Sequence, residues 1–455
     1  MDDVTVTDPS IVKRAVGAAM IGNITEWFDF GVFASLQTTI GNVFLSPAGD
    51  TVKSIGTAIL FMVAFTVRPI GGLFFGPLGD RIGRTKVLSI TVILMAASTF
   101  IIALIPGYDT IGIAAPMLMV LARLLQGFST GGEYGGAMTF IAEYAPDKRR
   151  GFFGSFLEFG TCTGYLFGSV IALGVNFLPP EQLNSWGWRI PFLISGPIGI
   201  IGLYLRLKLE ETPAFKAVAK ESEEREGNQS LREIRTIFAK FWRPMLVCMG
   251  IVLVFNVINY MVTTVMPEFF SEYNKPMAAS HISELLIIGV YIVILLIITQ
   301  VGRLSDRIGR KPVMFVGCGL AIVGGVPAVL LAKSGSVGLV ALGLFIMAIM
   351  LTCFNSTSPS TLPALFPTEI RYGALAIAFN IAVSAFGGTT ETVTLTLINA
   401  TGDTNWPGYY LMIAGAIGAV AIFFMRESAG RPLLGSAPAV ANRAEAEELV
   451  RAGQG

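Results

Sequence analysis

Histidine is nearly missing: His281 is the only one in 455 residues. A histidine metal cluster or a histidine proton relay within one chain therefore has no material to form from. Cysteine is scarce as well. Cys162, Cys248, Cys318 and Cys353 all fall inside apolar runs with no CxxC pair, and read as small apolar fillers. No GxxxxGK(S/T) loop occurs, so the chain has no phosphate-binding loop of its own for ATP. Charged residues make up 14%, against roughly 25% in an ordinary soluble domain. A formal net charge of +1 gives no overall attraction for polyanions. These shortages exclude a soluble enzyme, a disordered protein and a nucleic-acid binder. What is abundant is apolar: 53% of the chain is hydrophobic. At about 20 apolar residues per crossing, that inventory fills about 12 membrane spans.

Apolar runs separated by charged or Pro/Gly-bearing breaks fall near 15–40, 54–76, 85–106, 112–135, 151–177, 189–208, 244–267, 283–303, 311–332, 336–359, 372–399 and 406–426. The N-terminus is acidic at Asp2 and Asp3 and lacks the basic stretch of a signal peptide, so the first run is expected to stay in the mature protein. Lys13, Arg14, Arg81, Arg84, Lys86, Lys148, Arg149, Arg150, Arg303, Arg307, Arg310, Lys311 and Arg371 lie on one side of this pattern; Lys53, Arg189, Lys275 and Lys333 lie on the other. The positive-inside rule makes the rich side cytoplasmic, with both termini there. The expected organisation is a cytoplasmic N-terminus (1–14), a six-helix bundle (15–208), a charged cytoplasmic linker (209–243), a second six-helix bundle (244–426) and a cytoplasmic tail (427–455).

The halves repeat. Gly76-Pro-Leu-Gly79-Asp80-Arg81-Ile82-Gly83-Arg84 follows span two, and Gly302-Arg-Leu-Ser-Asp306-Arg307-Ile308-Gly309-Arg310 follows span eight. Tyr144-Ala-Pro146-Asp-Lys-Arg-Arg-Gly151 after span four echoes Phe366-Pro367-Thr-Glu-Ile-Arg-Tyr-Gly373 after span ten at nearly the same offset. Six-helix repeats around a midplane site are a transporter architecture.

The GxxxDRxGR element and its copy resemble the major facilitator superfamily. Gly22-Asn-Ile-Thr-Glu-Trp-Phe-Asp-Phe30, Arg68-Pro-Ile-Gly-Gly72, Arg123-Leu-Leu-Gln-Gly127 with Gly132-Glu-Tyr134, Trp186-Gly-Trp-Arg-Ile-Pro191 and Leu209-Glu-Glu-Thr-Pro-Ala-Phe215 resemble its metabolite:proton symporter branch. Ser360-Thr-Leu-Pro-Ala-Leu-Phe-Pro367 and Arg431-Pro-Leu-Leu-Gly435 look most like the proline/glycine-betaine osmolyte transporters within that branch. Some of those carry a long C-terminal coiled coil; the tail here shows no sustained heptads, which puts coiled-coil-tuned osmotic sensing in doubt. The resemblance implies an all-α fold of twelve helices in the inner membrane, driven by a proton gradient with no other cofactor. It also implies a gating role for Asp80, Arg81 and Arg84, with Asp306, Arg307 and Arg310 in the copy.

Ionisable residues inside apolar spans each cost roughly 3 kcal/mol at the bilayer centre, so they are expected to be paired and to face the interior. Asn23, Glu26 and Phe30 share one stripe of span one, with Glu26 about 16 Å deep by the rise of an α-helix. A desolvated carboxylate there suits reversible proton loading, so Glu26, Asp29 and Glu133 are the proton-coupling candidates. Arg123, with Gln126 one turn on, can pair bidentately with Glu26 or with a solute carboxylate. Arg68 and Glu158 are expected in a gating network. Glu391 is placed near the outer surface. Span seven carries amides where span one carries acids, so Asn256, Asn259 and Tyr260 are expected to supply neutral substrate contacts. Trp27, with Tyr165 and Tyr260, is positioned to form an aromatic cage for a quaternary ammonium. Trp186, Trp188, Trp242 and Trp406 sit at span ends as interface anchors. Gly127, Gly131, Gly135 and Gly160, Gly164, Gly168 read as ridges for close helix packing.

The expectation is a proton symporter of a small zwitterionic osmolyte, working by alternating access in the lipid bilayer, with the monomer as functional unit. An organic-acid symporter is the alternative. A channel would have no use for buried carboxylate–arginine chemistry. An intramembrane enzyme would need a nucleophile with a base, or a metal cluster, and neither is evident.

Overall fold

A computed structural model describes residues 4–46, 49–208, 238–273 and 282–453. The expected linker falls outside them up to residue 237, and so do Lys275, His281 and the 209–215 motif. Twelve long helical units run through the described chain. They are α1 (Pro9–Ser35), α2 (Asp50–Thr66, resumed at Arg68–Ile82), α3 (Arg84–Leu104), α4 (Ala114–Tyr144), α5 (Arg150–Asn176) and α6 (Arg189–Leu207). The second set is α7 (from Trp242–Tyr260), α8 (Ile282–Ile308), α9 (Arg310–Ala332), α10 (from Val337–Asn355), α11 (from Arg371–Ala382) and α12 (Trp406–Phe424). Ten of the twelve are long and apolar enough to cross a membrane on composition alone. The two that fall short are α1 and α4, which hold Glu26, Asp29, Arg123 and Glu133.

Three helices are broken where the sequence demands or permits it. Pro69 near the start of Arg68–Ile82 lacks the N–H that would continue the helical ladder from the preceding turn, and α2 is interrupted at Val67. In α7 a π-helical turn at Met261–Val265 directly follows Asn259 and Tyr260; α11 has one at Val383–Gly387. Such turns often mark functional positions. Between α2 and α3, and again between α8 and α9, the chain reverses at Gly83 (φ 108°) and Gly309 (φ 102°). Only glycine adopts that backbone without strain, which explains its place in both copies of the repeat.

The first six helices pack into one bundle and the second six into another, and the bundles meet along α5 with α8 and along α2 with α11. Near the termini, β1 (Thr5–Val6) pairs in parallel with β2 (Ala439–Val440). Both chain ends therefore lie on one face, which also carries Arg81, Lys148, Arg149 and Arg307; it is called the basic face below. One aromatic departs from expectation. Trp188 is fully buried against Phe44, ring centroids 5.3 Å apart, because a short helix, Gln37–Phe44, folds over it.

Candidate transport site

The site begins with a glycine ridge. A Cβ at Gly160, Gly164 or Gly168 of α5 would overlap the carbonyl oxygens of Met20, Ile24 and Phe28 on α1. Without side chains there the two backbones come into contact, which brings Asn23 and Glu26 against Thr161 and its turn. Asn23 Nδ2 donates to Leu157 O at 2.9 Å and to Thr161 Oγ1.

A small chamber of about 10 Å³ lies beside this contact, lined by Glu26, Trp27, Arg68, Tyr134, Thr161, Phe255, Asn256, Asn259, Tyr260, Phe379 and Val383. That is room for about one water. Both bundles contribute: the first gives the charged groups, the second the amides and further aromatic rings. Three donors around the chamber, Trp27 Nε1, Tyr134 Oη and Arg68 Nε, are buried without a hydrogen-bond acceptor among the described residues. Buried donors left unsatisfied cost about 1–3 kcal/mol each, so three of them on residues lining one space suit it to an acceptor-bearing group.

The ion pairs differ from the sequence-based pairing. Arg123 Nη1 bonds Asp29 Oδ2 at 2.9 Å and Gln126 Oε1 at 2.9 Å, while Gln126 Nε2 donates to Thr99 Oγ1 at 2.8 Å. The Arg123 guanidinium also lies 3.8 Å from the Phe33 ring centroid. Asp29, not Glu26, is thus the partner of Arg123, and this pair sits behind the chamber wall rather than on it. Glu26 instead faces Arg68, Oε1 to Nη2 3.6 Å. Arg68, expected at a gate, is a chamber residue because the Pro69 break delivers it there. Glu158, also expected in a gating network, hydrogen-bonds Thr161 and acts on Glu26. Glu133 is buried at 1% exposure. Tyr165 leaves the chamber altogether. It stacks on Tyr291 of α8, centroids 4.7 Å apart, and lines a larger cavity of about 420 Å³ with Phe61, Glu284 and Glu391. That cavity lies toward the face opposite the basic one. Sequence reading missed Tyr134, Thr161 and Phe379 as chamber residues; Tyr134 and Phe379 stack at 4.6 Å across the two bundles. Only Tyr134 gave a signal, standing next to Glu133.

The basic face is closed by two matching contacts. Asp80, at the end of α2, accepts backbone N–H bonds from Tyr372 (3.3 Å) and Gly373 (2.7 Å) at the start of α11. Asp306, at the end of α8, accepts from Gly151 (2.7 Å) and Phe152 (2.8 Å) at the start of α5. Each aspartate thereby caps a helix N-terminus of the other bundle, where the unpaired N–H groups and the helix dipole favour an anion. Arg84 and Arg310 sit 3.2 and 3.1 Å from these aspartates one turn on. Arg81 and Arg307 are exposed instead. A further joint was not foreseen: buried Glu143 accepts from Arg84 at 3.3 Å and from Arg371, across the bundles, at 2.7 Å.

A polar and aromatic chamber between two six-helix bundles, sealed toward one face and approached by a cavity from the other, defines a secondary transporter. The chain belongs to the sugar (and other) transporter family of the major facilitator superfamily, whose family model matches residues 15–437. It is 44% identical to the proline/betaine transporter of Escherichia coli (strain K12), over 98% of this chain and 90% of that one. It is 44% identical to the glycine betaine/proline/ectoine/pipecolic acid transporter of Dickeya dadantii (strain 3937), over 99% and 90%. Among solved structures it is similar to the proton:xylose symporter XylE bound to 6-bromo-6-deoxy-D-glucose, with a TM-score of 0.76 and 22% identity over 93% of this chain and 98% of that one. Against the inward-open form of the E. coli xylose transporter XylE the TM-score is 0.61 at 20% identity, over 93% of this chain and 98% of that chain. The protein is a multi-pass membrane transporter and not an enzyme. Among the described residues no group of three or more His, Cys, Asp and Glu side chains is placed to hold a metal ion.

Proposed function

We propose that this protein imports a small zwitterionic osmolyte, proline or glycine betaine, together with protons across the inner membrane. The basic face is its cytoplasmic side, and the halves 15–208 and 244–426 rock on one another about the chamber. The observation that carries the reading is the chamber's composition. The donors of Trp27, Tyr134 and the Arg68 guanidinium suit one carboxylate, and the rings of Trp27, Phe255, Tyr260 and Phe379 suit an adjacent quaternary or secondary ammonium. Asn256 and Asn259 add neutral contacts. The named solutes of the relatives agree with this chemistry.

Proton coupling rests on charge balance. Glu26, Asp29, Glu133 and Glu158 face a core that holds Arg68 and Arg123, all of them 2% exposed or less. Among the described residues Glu26 pairs with Arg68 and Asp29 with Arg123, and a further buried carboxyl at Glu158 favours a proton, since unpaired buried charge is costly. A solute carboxylate that takes Arg68 from Glu26 adds one more anion and favours one more proton, which links the two fluxes. The narrow chamber must widen for a solute, and the α7 and α11 π-turns beside Tyr260 and Gly387 are placed to bend. Asp80, Arg84, Asp306 and Arg310, joined by Glu143 and Arg371, form the cytoplasmic gate.

The test is uptake of labelled proline, glycine betaine and α-ketoglutarate into proteoliposomes, with and without an inward proton gradient. Gradient-driven accumulation of the zwitterions alone is expected. Accumulation of α-ketoglutarate alone would assign the protein to the organic-acid symporters, for which the chamber arginine Arg68 is also suited.

A further inference from the structure

Glu158 differs from the other core carboxyls in its company. Asp29 has Arg123, and Glu26 has Arg68. Glu158 is 1% exposed, and its Oε1 has no hydrogen-bond partner among the described residues. Among the described residues it hydrogen-bonds Thr161, whose Oγ1 already accepts from Asn23, so the Thr161 hydroxyl hydrogen is directed at Glu158. Among the described residues the titratable groups that act on it are Glu26 from α1, Cys162 on α5 itself and Tyr291 from α8, and none of these is a cation. A carboxyl in such surroundings is far less costly as the neutral acid than as an anion. Position adds a direction. Thr161 lines the chamber with Glu26, and Glu158 lies one helical turn nearer the basic face.

We propose that Glu158 is a second proton-binding site, which receives the proton loaded on Glu26 and releases it toward the basic face. In the transfer the O–H bond of the Glu26 carboxylic acid breaks and an O–H bond forms on the Glu158 carboxylate. The proton crosses by way of the Thr161 hydroxyl, which gives one proton and takes another. Glu26, left as an anion, returns to Arg68. Solute exchange, in which the proton stays on Glu26, does not need Glu158; net proton movement does. This rests on the proposed symport.

Purified wild type, Glu158→Gln and Glu158→Asp in proteoliposomes separate the cases. Two rates are read: exchange of labelled glycine betaine at equal pH, and accumulation driven by an imposed pH gradient. Glu158→Gln is expected to keep exchange and lose gradient-driven accumulation, and Glu158→Asp to recover accumulation. Unchanged accumulation in Glu158→Gln overturns the proposal. So does equal loss of exchange and accumulation in a variant that elutes and melts like wild type, which would leave Glu158 only a packing role. If wild type itself exchanges solute but never accumulates it on a proton gradient, the symport reading fails, and the second site fails with it.

Discussion

At the residue scale, the buried ion pairs decide what can be changed. Asp29 and Arg123 are both fully buried, so removing one charge strands the other in the core. Asp29→Asn should therefore destabilise the protein by about 3–5 kcal/mol, and adding Arg123→Met should recover much of that loss. Thermal unfolding of the three forms in detergent measures it. Glu26 is more exposed to circumstance: its Arg68 contact is longer, at 3.6 Å, and it opens on the chamber. Glu26→Gln should leave the fold intact and abolish proton-driven accumulation, while exchange of labelled solute persists. Full accumulation by that variant would remove Glu26 from the coupling mechanism. The residue types of this site were legible from composition, because charges in apolar spans stand out. Their partners were not, since Asp29 and Glu26 lie on neighbouring positions of one helix and only packing tells which arginine each meets.

At the element scale, α1 and α5 behave as one unit because glycine lets them touch. Gly164→Val would drive a side chain into the Ile24 carbonyl, separate the helices and pull Thr161 from Asn23. A large drop in folded yield and in uptake is expected. Gly174, on the same helix, has nothing within 4 Å of a built Cβ. There Gly174→Ala should be neutral or stabilise by up to about 1 kcal/mol, by removing chain entropy from the unfolded state. Melting curves of the two variants make the comparison. The spacing of the ridges was visible in the sequence, and close helix contact follows from it directly. Helix breaks were less visible. Pro69 announces the one in α2, but nothing in Met261–Val265 or Val383–Gly387 marks a π-turn.

At the scale of the whole molecule, the chain ends tie the two bundles together on the basic face. Leu434 O accepts from Arg371 Nη2 at 2.6 Å and from Thr368 N at 3.1 Å in the second bundle. Arg431 O accepts from Arg150 in the first bundle at 3.0 Å, and Ala439 N donates to Asp147 at 3.0 Å. The C-terminal helix Arg443–Gly453 adds a Lys148–Glu445 pair at 2.8 Å. With the basic face shut, these contacts join the tail to both bundles. Truncation after residue 435 should shift the population toward opening on that face, read as a longer distance between spin labels at Lys86 and Arg307. Unchanged distances would show that the strap has no such influence. Acid should loosen the same strap. The contact with Lys148 of the first bundle holds the Glu445 carboxyl below its ordinary value. A carboxyl depressed by a cross-bundle contact stabilises the closed form above its ordinary range and loses that contribution as pH falls through the depressed value. The label distance should accordingly lengthen on acidification below the ordinary glutamate range.

The sequence by itself determined the class, the twelve crossings, the duplication and the identity of nearly every charged residue in the core. Those follow from local chemistry: hydrophobic length, basic loops and repeated motifs are written along the chain. Tertiary structure decided which acid pairs with which arginine, which aromatic rings enclose the chamber and which face is closed. Asp29 with Arg123, Tyr134 with Phe379, and Asp80 on the α11 N-terminus are contacts between residues roughly a hundred to three hundred positions apart. Their geometry depends on how helices pack across two bundles, a property that no single stretch of sequence carries.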